Sequence, residues 1–594
     1  MADSPNSNAG KLVTATIYSE GTKVGNPFCL HSIEVHREIN RIGRAILKFN
    51  AGDKPGANVP ESELDTFKPG KAIKIEVGYD LTPSTIYEGI VVSHKFSMKE
   101  GKNPLLVVEC RDAAIKATVA RKNRIFEDKK DSEAVTAALG DNGLTVDMED
   151  TPVTHTQLVQ YYCTDWDFAL SRADVYGMIV TTDGNKVTIG KPVISGAVLT
   201  VKYGKDIISF DGEVFAEDQF AAVKGVGWDP VEQQVIQADS SSVTLNAQGN
   251  MSADDLSSAA GADTVTLQTD ALADADVLQK WVDSTLLKTG LSRFRGTFSF
   301  CGSAAAVPGC VIELEGLGGR FNGDAYVGAV THRIEEGEWI TEVEMGISPM
   351  NITQQPDVVA PPASGLYPGI EGLHIGIVDA LAGDPASSGR IKVKIPLLNI
   401  QPDAVWARLA LLAASNETGT FFIPSVGDEV ILGFINNDPN QAIVLGCLYS
   451  AKNVVPYELA DDNFKRAFIT PEKLRIELDD EKKVITVVTP GENSIVIDDE
   501  NKSITLKDQN NNEIVMGSDG IEITSAKGIT LTAKNDIVCK ATGKLQAKAT
   551  QDMSLEGMNV TAKAQTSLKL TGTASAEVSA TGQMTVKGAM VMIN

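Results

Sequence analysis

From Ile521 onward the larger apolar residues recur at an interval that suits no helix. Ile521, Ile529, Ile537, Leu545 and Met553 stand eight residues apart, each with an apolar or small partner two positions on: Ile523, Leu531, Cys539, Ala547 and Leu555. One residue is lost before Val560, after which Leu568, Ala576 and Met584 resume the interval. A second loss puts Val591 on it, with Ile593 as its partner. Residues i and i+2 share one face of an extended strand. Gly520, Gly528, Asn535, Gly543, Gly557, Gly572, Gly582 and Gly588 fall between the pairs and suit corners. Each unit therefore reads as a short strand and a turn, a solenoid signature in which no unit buries its own apolar stripe. Upstream, Ile485, Ile495, Ile504 and Ile514 keep a looser version of the same interval.

An octad is too short to circle a core alone, since a parallel β-helix coil needs roughly twenty residues. The most economical arrangement is a homotrimer in which every turn takes one strand from each of three chains. Its needle core is Ile521, Ile529, Ile537, Leu545, Met553, Val560, Leu568, Ala576 and Met584. About fifteen strands rising ~4.8 Å each give a prism of ~70 Å. The outer positions are Thr, Ser, Lys, Gln and Glu. Residues 521–594 hold eight Lys against five Asp or Glu, a balance of +3. Residues 471–520 hold six basic against twelve acidic side chains, a balance of −6, so the far end of the tail is the basic one.

Ahead of the tail the pattern changes to β-branched runs. LVTATIYS, SIEVHREI, RAILKFN, KAIKIEVGY and EGIVVSHKFSMK, between 11 and 110, predict strands. DSEAVTAAL at 131–139 predicts a helix ending at Gly140. In YYCTDWDFALSRADVYGMIV, Thr164 and Asp167 have the form of a capping box, and Trp166, Leu170 and Ala173 fall at i, i+4 and i+7. Gly177 is placed to end that helix, and Asp183-Gly184 marks the turn of a following hairpin. Residues 230–270, rich in Ala, Ser, Asp and Gln, read as a long loop or insertion with one hairpin. A helix near 272–288 precedes a second strand set: SRFRGTFSFCG, PGCVIELEGLG, AYVGAVTHRIEE and EWITEVEMGI. The Pro/Gly/Ser-rich stretch 357–369 marks a boundary. Beyond it HIGIVDAL, GRIKVKI, AVWARLALL, DEVILGFI and AIVLGCLY suit a small closed barrel of the OB type. The expected organisation is mainly β: a strand-rich region over 1–360, a linker at 361–369, the barrel at 370–450, a connector at 451–470 and the needle at 471–594.

Composition narrows the partners. Among 594 residues, 53 basic against 78 acidic give −25. That argues against nucleic acid as a main partner and against an anionic membrane surface. The start MADSPNSNAGKLVTATI has no secretory pattern, and no apolar run of ~18 residues occurs. Seven scattered cysteines without a CxxC suit free thiols in a reduced compartment. The expectation is a protein made in the cytoplasm without its own export address.

No GxSxG, HExxH, Walker A or GxGxxG stands in a suitable context. Gly316, Gly318, Gly319 and Gly323 lead from one strand into another and read as a turn. Asp270, Asp274 and Asp276 read as a helix start, where carboxylates suit the dipole. The six histidines are 31, 36, 94, 155, 332 and 374; His31 and His36 read as surface or satisfied core residues. No catalytic residue, cofactor or metal is expected.

Three stretches carry a family resemblance. GRIKVKIPLLN, then WARLALLAASNETGTFFIPSVGDEVILGFINNDPNQAIVLGCLYS from Trp406, resembles the OB module of the VgrG family, including its FxxPxVGDEV run and NxDPxxxxVLGxLY ending. QYYCTDWDFALSRADVYGMIV is similar to that family's hub helix. PGCVIELEGLG with AYVGAVTHRIEEGEWITEV is similar to the hub's second barrel. The VgrG family supplies the spikes of type VI secretion systems and related contractile phage-tail-like particles. The resemblance implies a hub with two related β-barrel domains over 1–360, an OB-fold, and an intertwined trimeric triangular β-helix. It implies a homotrimer that adapts the six-fold tube (an Hcp-like protein) and baseplate to a three-fold needle. Such a spike punctures the target envelope, meets the membrane only transiently, and carries a tip cap and effector cargo. It is assembled into the baseplate, then ejected or extracellular.

Two departures refine this expectation. About twenty residues separate barrel from tail, too few for the lysozyme domain of some phage spikes. No histidine lies in the tail, so the His-x-His iron tip of some phage needles is not expected. The sequence closes at VKGAMVMIN without an effector domain, leaving strand edges and an apolar cross-section that proteins normally cover. A PAAR-type cap on Met590, Val591, Met592, Ile593 and Asn594 is the expectation. The alternatives are the hub-spike of a contractile phage tail, or a trimeric β-helical adhesin or tailspike. The latter predicts a binding head or carboxylate-lined groove that the tail lacks.

Overall fold

The computed structural model describes residues 4–5, 10–52, 58–230, 232–261, 263–272, 275–397 and 404–593. They form two compact units, 1–448 and 449–594. The first is organised by a thirteen-stranded, mostly antiparallel sheet. Two of its strands alternate strictly: Ala45, Leu47 and Phe49 of Arg44–Asn50 and Leu106, Val108 and Cys110 of Leu105–Arg111 all point into one core. Phe28, Phe49 and Phe67 close that core with ring centroids 4.9–5.5 Å apart. Each such buried side chain contributes about 1.5–3 kcal/mol.

A second core gathers Leu199, Val201, Phe298, Phe300, Ile312, Leu314, Val327 and Val343 on the same sheet. Ala329–Glu335 pairs antiparallel with Ser32–Glu38, so strands from near the two ends of the 1–360 region are bonded together. The two barrels expected for the hub are thus two cores on one continuous sheet. The ladder between strands ~300 residues apart in sequence has no signature in either strand alone.

Helices sit beside this sheet. Thr164 caps the helix Asp165–Val175, its Oγ1 accepting from the Asp167 N–H at 3.0 Å. Residues 230–270, expected as a long loop or insertion with one hairpin, complete one hairpin and carry further regular structure. Ala222–Asp229 is flanked by Gln234–Asp239 antiparallel and Thr264–Leu272 parallel, and a capped helix, Ala253–Ala260, lies between these in sequence. The helix Ala275–Leu291, three residues later than expected, covers the sheet with Leu278, Val282 and Leu286 against Val223. This core is small, and the Ala, Ser and Asp on its exposed faces dilute the period that would mark it in sequence.

The boundary stretch is not slack. The Arg121 guanidinium donates to the carbonyls of Tyr162, Asp357 and Val358 at 2.7–3.1 Å. The closed barrel that follows consists of His374–Ala380, Ile391–Lys394, Ala404–Leu409, Ala442–Cys447 and Glu429–Phe434, in that order around its wall. Val378, Val393, Ala407, Val430 and Leu432 fill it. A Cβ on Gly376 would stand 2.5 Å from Val393 and 2.9 Å from Leu432, so no side chain fits there.

Candidate functional site

The second unit holds the surface that the sequence singles out. Seven strands follow one another as an antiparallel meander: Lys465–Ile469, Arg475–Asp479, Val484–Val488, Ser494–Asp498, Ser503–Lys507, Glu513–Gly517 and Gly520–Thr524. Their register lines up two rows of apolar side chains on one face. One row runs Leu478, Ile485, Ile497, Ile504, Met516, Ile521; the other runs Phe468, Ile476, Val487, Ile495, Leu506, Ile514, Ile523. All but Ile514 are between 36% and 71% exposed. Single exposed apolar residues are ordinary, but thirteen in two unbroken rows mark a contact surface.

The opposite face is polar or β-branched: Glu477, Thr486, Val496, Thr505, Val515 and Glu522 face one another across the strands. Glu477 accepts from Tyr457 Oη at 2.6 Å and Lys465 Nζ at 3.0 Å. The tyrosine hydroxyl first, and the lysine with it, hold this carboxyl below the usual range. They also tie the connector to the first hairpin.

The region expected as the needle from 471 thus opens with an antiparallel sheet. Five-residue loops (470–474, 489–493, 508–512) alternate with four-residue loops (480–483, 499–502), which makes each hairpin a nineteen-residue unit. DDEKKVITVVTPGENSIVI from Asp479 is followed directly by DDENKSITLKDQNNNEIVM from Asp498. The looser upstream spacing is this repeat, with Ile485, Ile495, Ile504 and Ile514 on successive strands. A search at that longer period would have found it. Ile521, expected in the octad core, stands in the sheet's first apolar row opposite Met516.

After Thr524 the chain changes character. It carries no strand, yet it bends at 526–527, 534–535, 542–543, 550–551, 558, 565–566, 573–574, 581–582 and 589–590. That is one bend per octad, with one residue lost between 558 and 565; the second loss, before Val591, does not alter the spacing of the bends. A small residue precedes every bend: Ser525, Ala533, Ala541, Ala549, Gly557, Ala564, Gly572, Ala580 and Gly588. Two-residue primed hairpin turns place residues at positive φ, and the last positive-φ residue among those described is Gly520; among the described residues no strand lies beyond Thr524.

Two consequences follow for 529–593. Among the described residues, none there makes a backbone–backbone hydrogen bond within the chain. Ile529, Ile537, Leu545, Met553, Val560, Leu568, Ala576 and Met584 are all exposed, as are Met590, Val591, Met592 and Ile593; Asn594 lies outside the described residues. Once such a stripe is covered and water excluded, the backbone donors and acceptors beside it need partners.

The remaining candidates in the first unit are not gathered. Asp270 lies in the strand Thr264–Leu272 and Asp276 in the first turn of the next helix, so they do not share the helix start expected of them; Asp274 lies outside the described residues. The Gly316–Gly323 stretch is a turn, with Asn322 Oδ1 accepting from the Leu317 N–H at 2.8 Å. Among the described residues no group of His, Cys, Asp or Glu is arranged to hold a metal ion. Sequence reasoning missed the buried clusters of the hub. Asp131 accepts from Arg172 Nε at 2.5 Å and Tyr176 Oη at 2.6 Å, and lies 2.7 Å from His155 Nε2. Lys288 Nζ donates to Asp174 at 2.7 Å. Both tie helices together.

Comparison with known proteins gives three family matches. Residues 9–336 match the Alg8 N-terminal domain, 374–449 the type VI secretion system/phage-baseplate injector OB domain, and 484–538 the phage baseplate V C-terminal trimerisation domain. The type VI secretion system spike protein VgrG5 of Pseudomonas aeruginosa is 35% identical over 117 residues, 18% of this chain and 15% of the relative. The spike protein VgrG3 of Vibrio cholerae is 38% identical over 86 residues, 14% of this chain and 8% of the relative. The chain thus spans well under two thirds of the curated relatives it matches. Among solved structures, the 43 kDa tail protein of prophage MuSo2 from Shewanella oneidensis aligns with TM-score 0.43 and 10% identity, covering 57% of this chain and 98% of that one. An E. coli type VI secretion component described as similar to bacteriophage T4 tail proteins aligns with TM-score 0.36 and 13% identity, covering 73% and 99%.

Proposed function

This chain belongs to the VgrG spike family, with an N-terminal region of the Alg8 kind, and on that premise we propose that it works as a homotrimeric, non-enzymatic spike of a contractile injection system. The observation that carries the proposal is the tail. From Ile529 to Ile593 it offers an unpaired backbone and an exposed apolar stripe, turning once per octad. Three chains winding together satisfy both demands at once, each strand hydrogen-bonding to its neighbours' strands while the stripes meet on the axis. The trimerisation family matched at 484–538 supports the same count.

In this reading the hub meets an Hcp-like tube and the baseplate, and converts their six-fold order to the three-fold order of the needle. Sheath contraction elsewhere supplies the energy, so the spike contributes stiffness and a narrow end to puncture the target envelope. Met590, Val591, Met592, Ile593 and Asn594 hold a PAAR-type cap, through which effector cargo is carried. The protein is made in the cytoplasm, assembled into the baseplate and ejected with the tube.

Light scattering on the purified protein, alone and with a PAAR-type protein, tests both halves. The expected mass alone is three times 63.2 kDa. The added PAAR mass is expected to disappear when 590–594 are removed. A monomer contradicts the spike, and unchanged PAAR binding contradicts the assignment of the tip.

A further inference from the structure

We propose that the apolar face of the 465–524 sheet, and not the octad tail, is the surface on which copies of this chain first join. The inference rests on the trimer reading and adds to it a nucleating surface and an order of assembly.

The sheet is finished within one chain. All seven strands are bonded to their sequence neighbours in unbroken register. Its two apolar rows are therefore held in place before any partner arrives, and association orders little further backbone. The tail is the opposite case. With no internal backbone bonds over 529–593, it must lose its conformational freedom at the moment of pairing. A segment in that state adds to an existing trimer far more readily than it founds one. Nucleation of an ordered array is its costly step.

The occupant of the sheet face is a second copy of the same face. The row ending Leu506, Ile514, Ile523 continues into Ile529 across an apolar groove floored by Val487 and Ile495. Ser525 Oγ fixes the junction, donating to Asn512 Oδ1 at 2.6 Å. Sheet face and tail stripe are one surface, so the chains that cover the stripe also cover the rows. No charged side chain lies within either row, although Arg466, opposite Leu478, closes the first row at its outer strand. The acidic residues Asp479, Asp480, Glu481, Asp498, Asp499 and Glu500 are confined to one end of the strands and the loops there, leaving the middle of the face free to meet its like.

The test compares two full-length variants with the wild type by light scattering and hydrogen exchange. Ile497→Asp with Ile504→Asp places charges in neighbouring positions of one sheet row. Leu568→Asp with Leu570→Asp does the same in the tail. The expected result for the sheet variant is a monomer whose unaltered tail has lost all exchange protection. The tail variant is expected to remain a trimer with 484–524 protected and protection lost around 568 only. A monomeric tail variant, or a trimeric sheet variant with a protected tail, overturns the proposal. Should the sheet variant lose its own fold, the tail variant still decides between the two orders. Val496→Asp with Thr505→Asp, on the opposite face, is expected to keep the trimer; its loss there would also count against the assigned face. If the wild type itself is not a trimer, the failure lies in the trimer reading and not in the order of assembly.

Discussion

His332 is held where a proton is unwelcome. It is 3% exposed, and its Nδ1 lies 3.0 Å from Thr341 Oγ1 and 3.4 Å from Trp339 Nε1, a group that can only donate. Burial first, and the charge of Arg37 second, push the imidazole down to about 3. The unfolded chain binds a proton near 6.5 that the folded one refuses, so stability falls as pH drops below that value. Between pH 7 and 5 this side chain alone costs about 2 kcal/mol. Asp112 runs the other way: burial raises its carboxyl to about 6 despite the Thr182 hydrogen bond, so its contribution declines as pH rises through that range. The expected outcome is therefore a difference in slopes. Unfolding of His332→Gln should lose about 2 kcal/mol less than wild type over pH 7 to 5; identical slopes would place the histidine in water. Nothing beside His332 in sequence marks it out from the other five histidines, because its partners come from a neighbouring strand. Thr164 was legible as an N-cap, since a cap is local, although Asp167 accepts from the Thr164 hydroxyl where a capping box would have it accept from the backbone N–H.

At the scale of elements, the sheet's turns repeat as regularly as its strands. Lys473, Lys483, Glu492, Lys502 and Asn511 each take positive φ, between 51° and 65°, one in every loop from 470 to 512. Four of the five are residues that a left-handed position does not favour, and Asn511 is one that tolerates it. Lys502→Asn is expected to raise the stability of the sheet by about 0.5–1 kcal/mol, read as a higher denaturant midpoint for its exchange-protected amides; a lower midpoint would mean that the lysine makes a contact worth more than the strain. The same loops explain what the sequence pattern hid. Pairs at i and i+2 identified the strands and their apolar face, because that period survives any pairing. The direction of pairing did not show, because five-residue strands with loops of five and four residues give a spacing of ten and nine that reads as a loosened octad. Residues 230–270 failed for a different reason. A three-stranded sheet with a five-residue buried core leaves most of its positions polar or small, which is also what a loop looks like.

For the whole molecule, the barrel at 374–447 was legible because it closes on a repeated local rule, strand alternation, and the octad reappears in the spacing of the bends beyond Thr524. The single thirteen-stranded sheet of the hub was not, since its joining ladder links Ser32–Glu38 with Ala329–Glu335. Electron cryomicroscopy of the full-length protein at side-chain resolution shows whether three chains share the tail. The expected map is a three-fold needle in which each rung over 529–593 takes one octad from each of three chains, with Ile529, Ile537, Leu545, Met553, Val560, Leu568, Ala576 and Met584 on the axis. Density in which successive octads of one chain hydrogen-bond to each other, or in which this segment stays unpaired in a monomer, would contradict it.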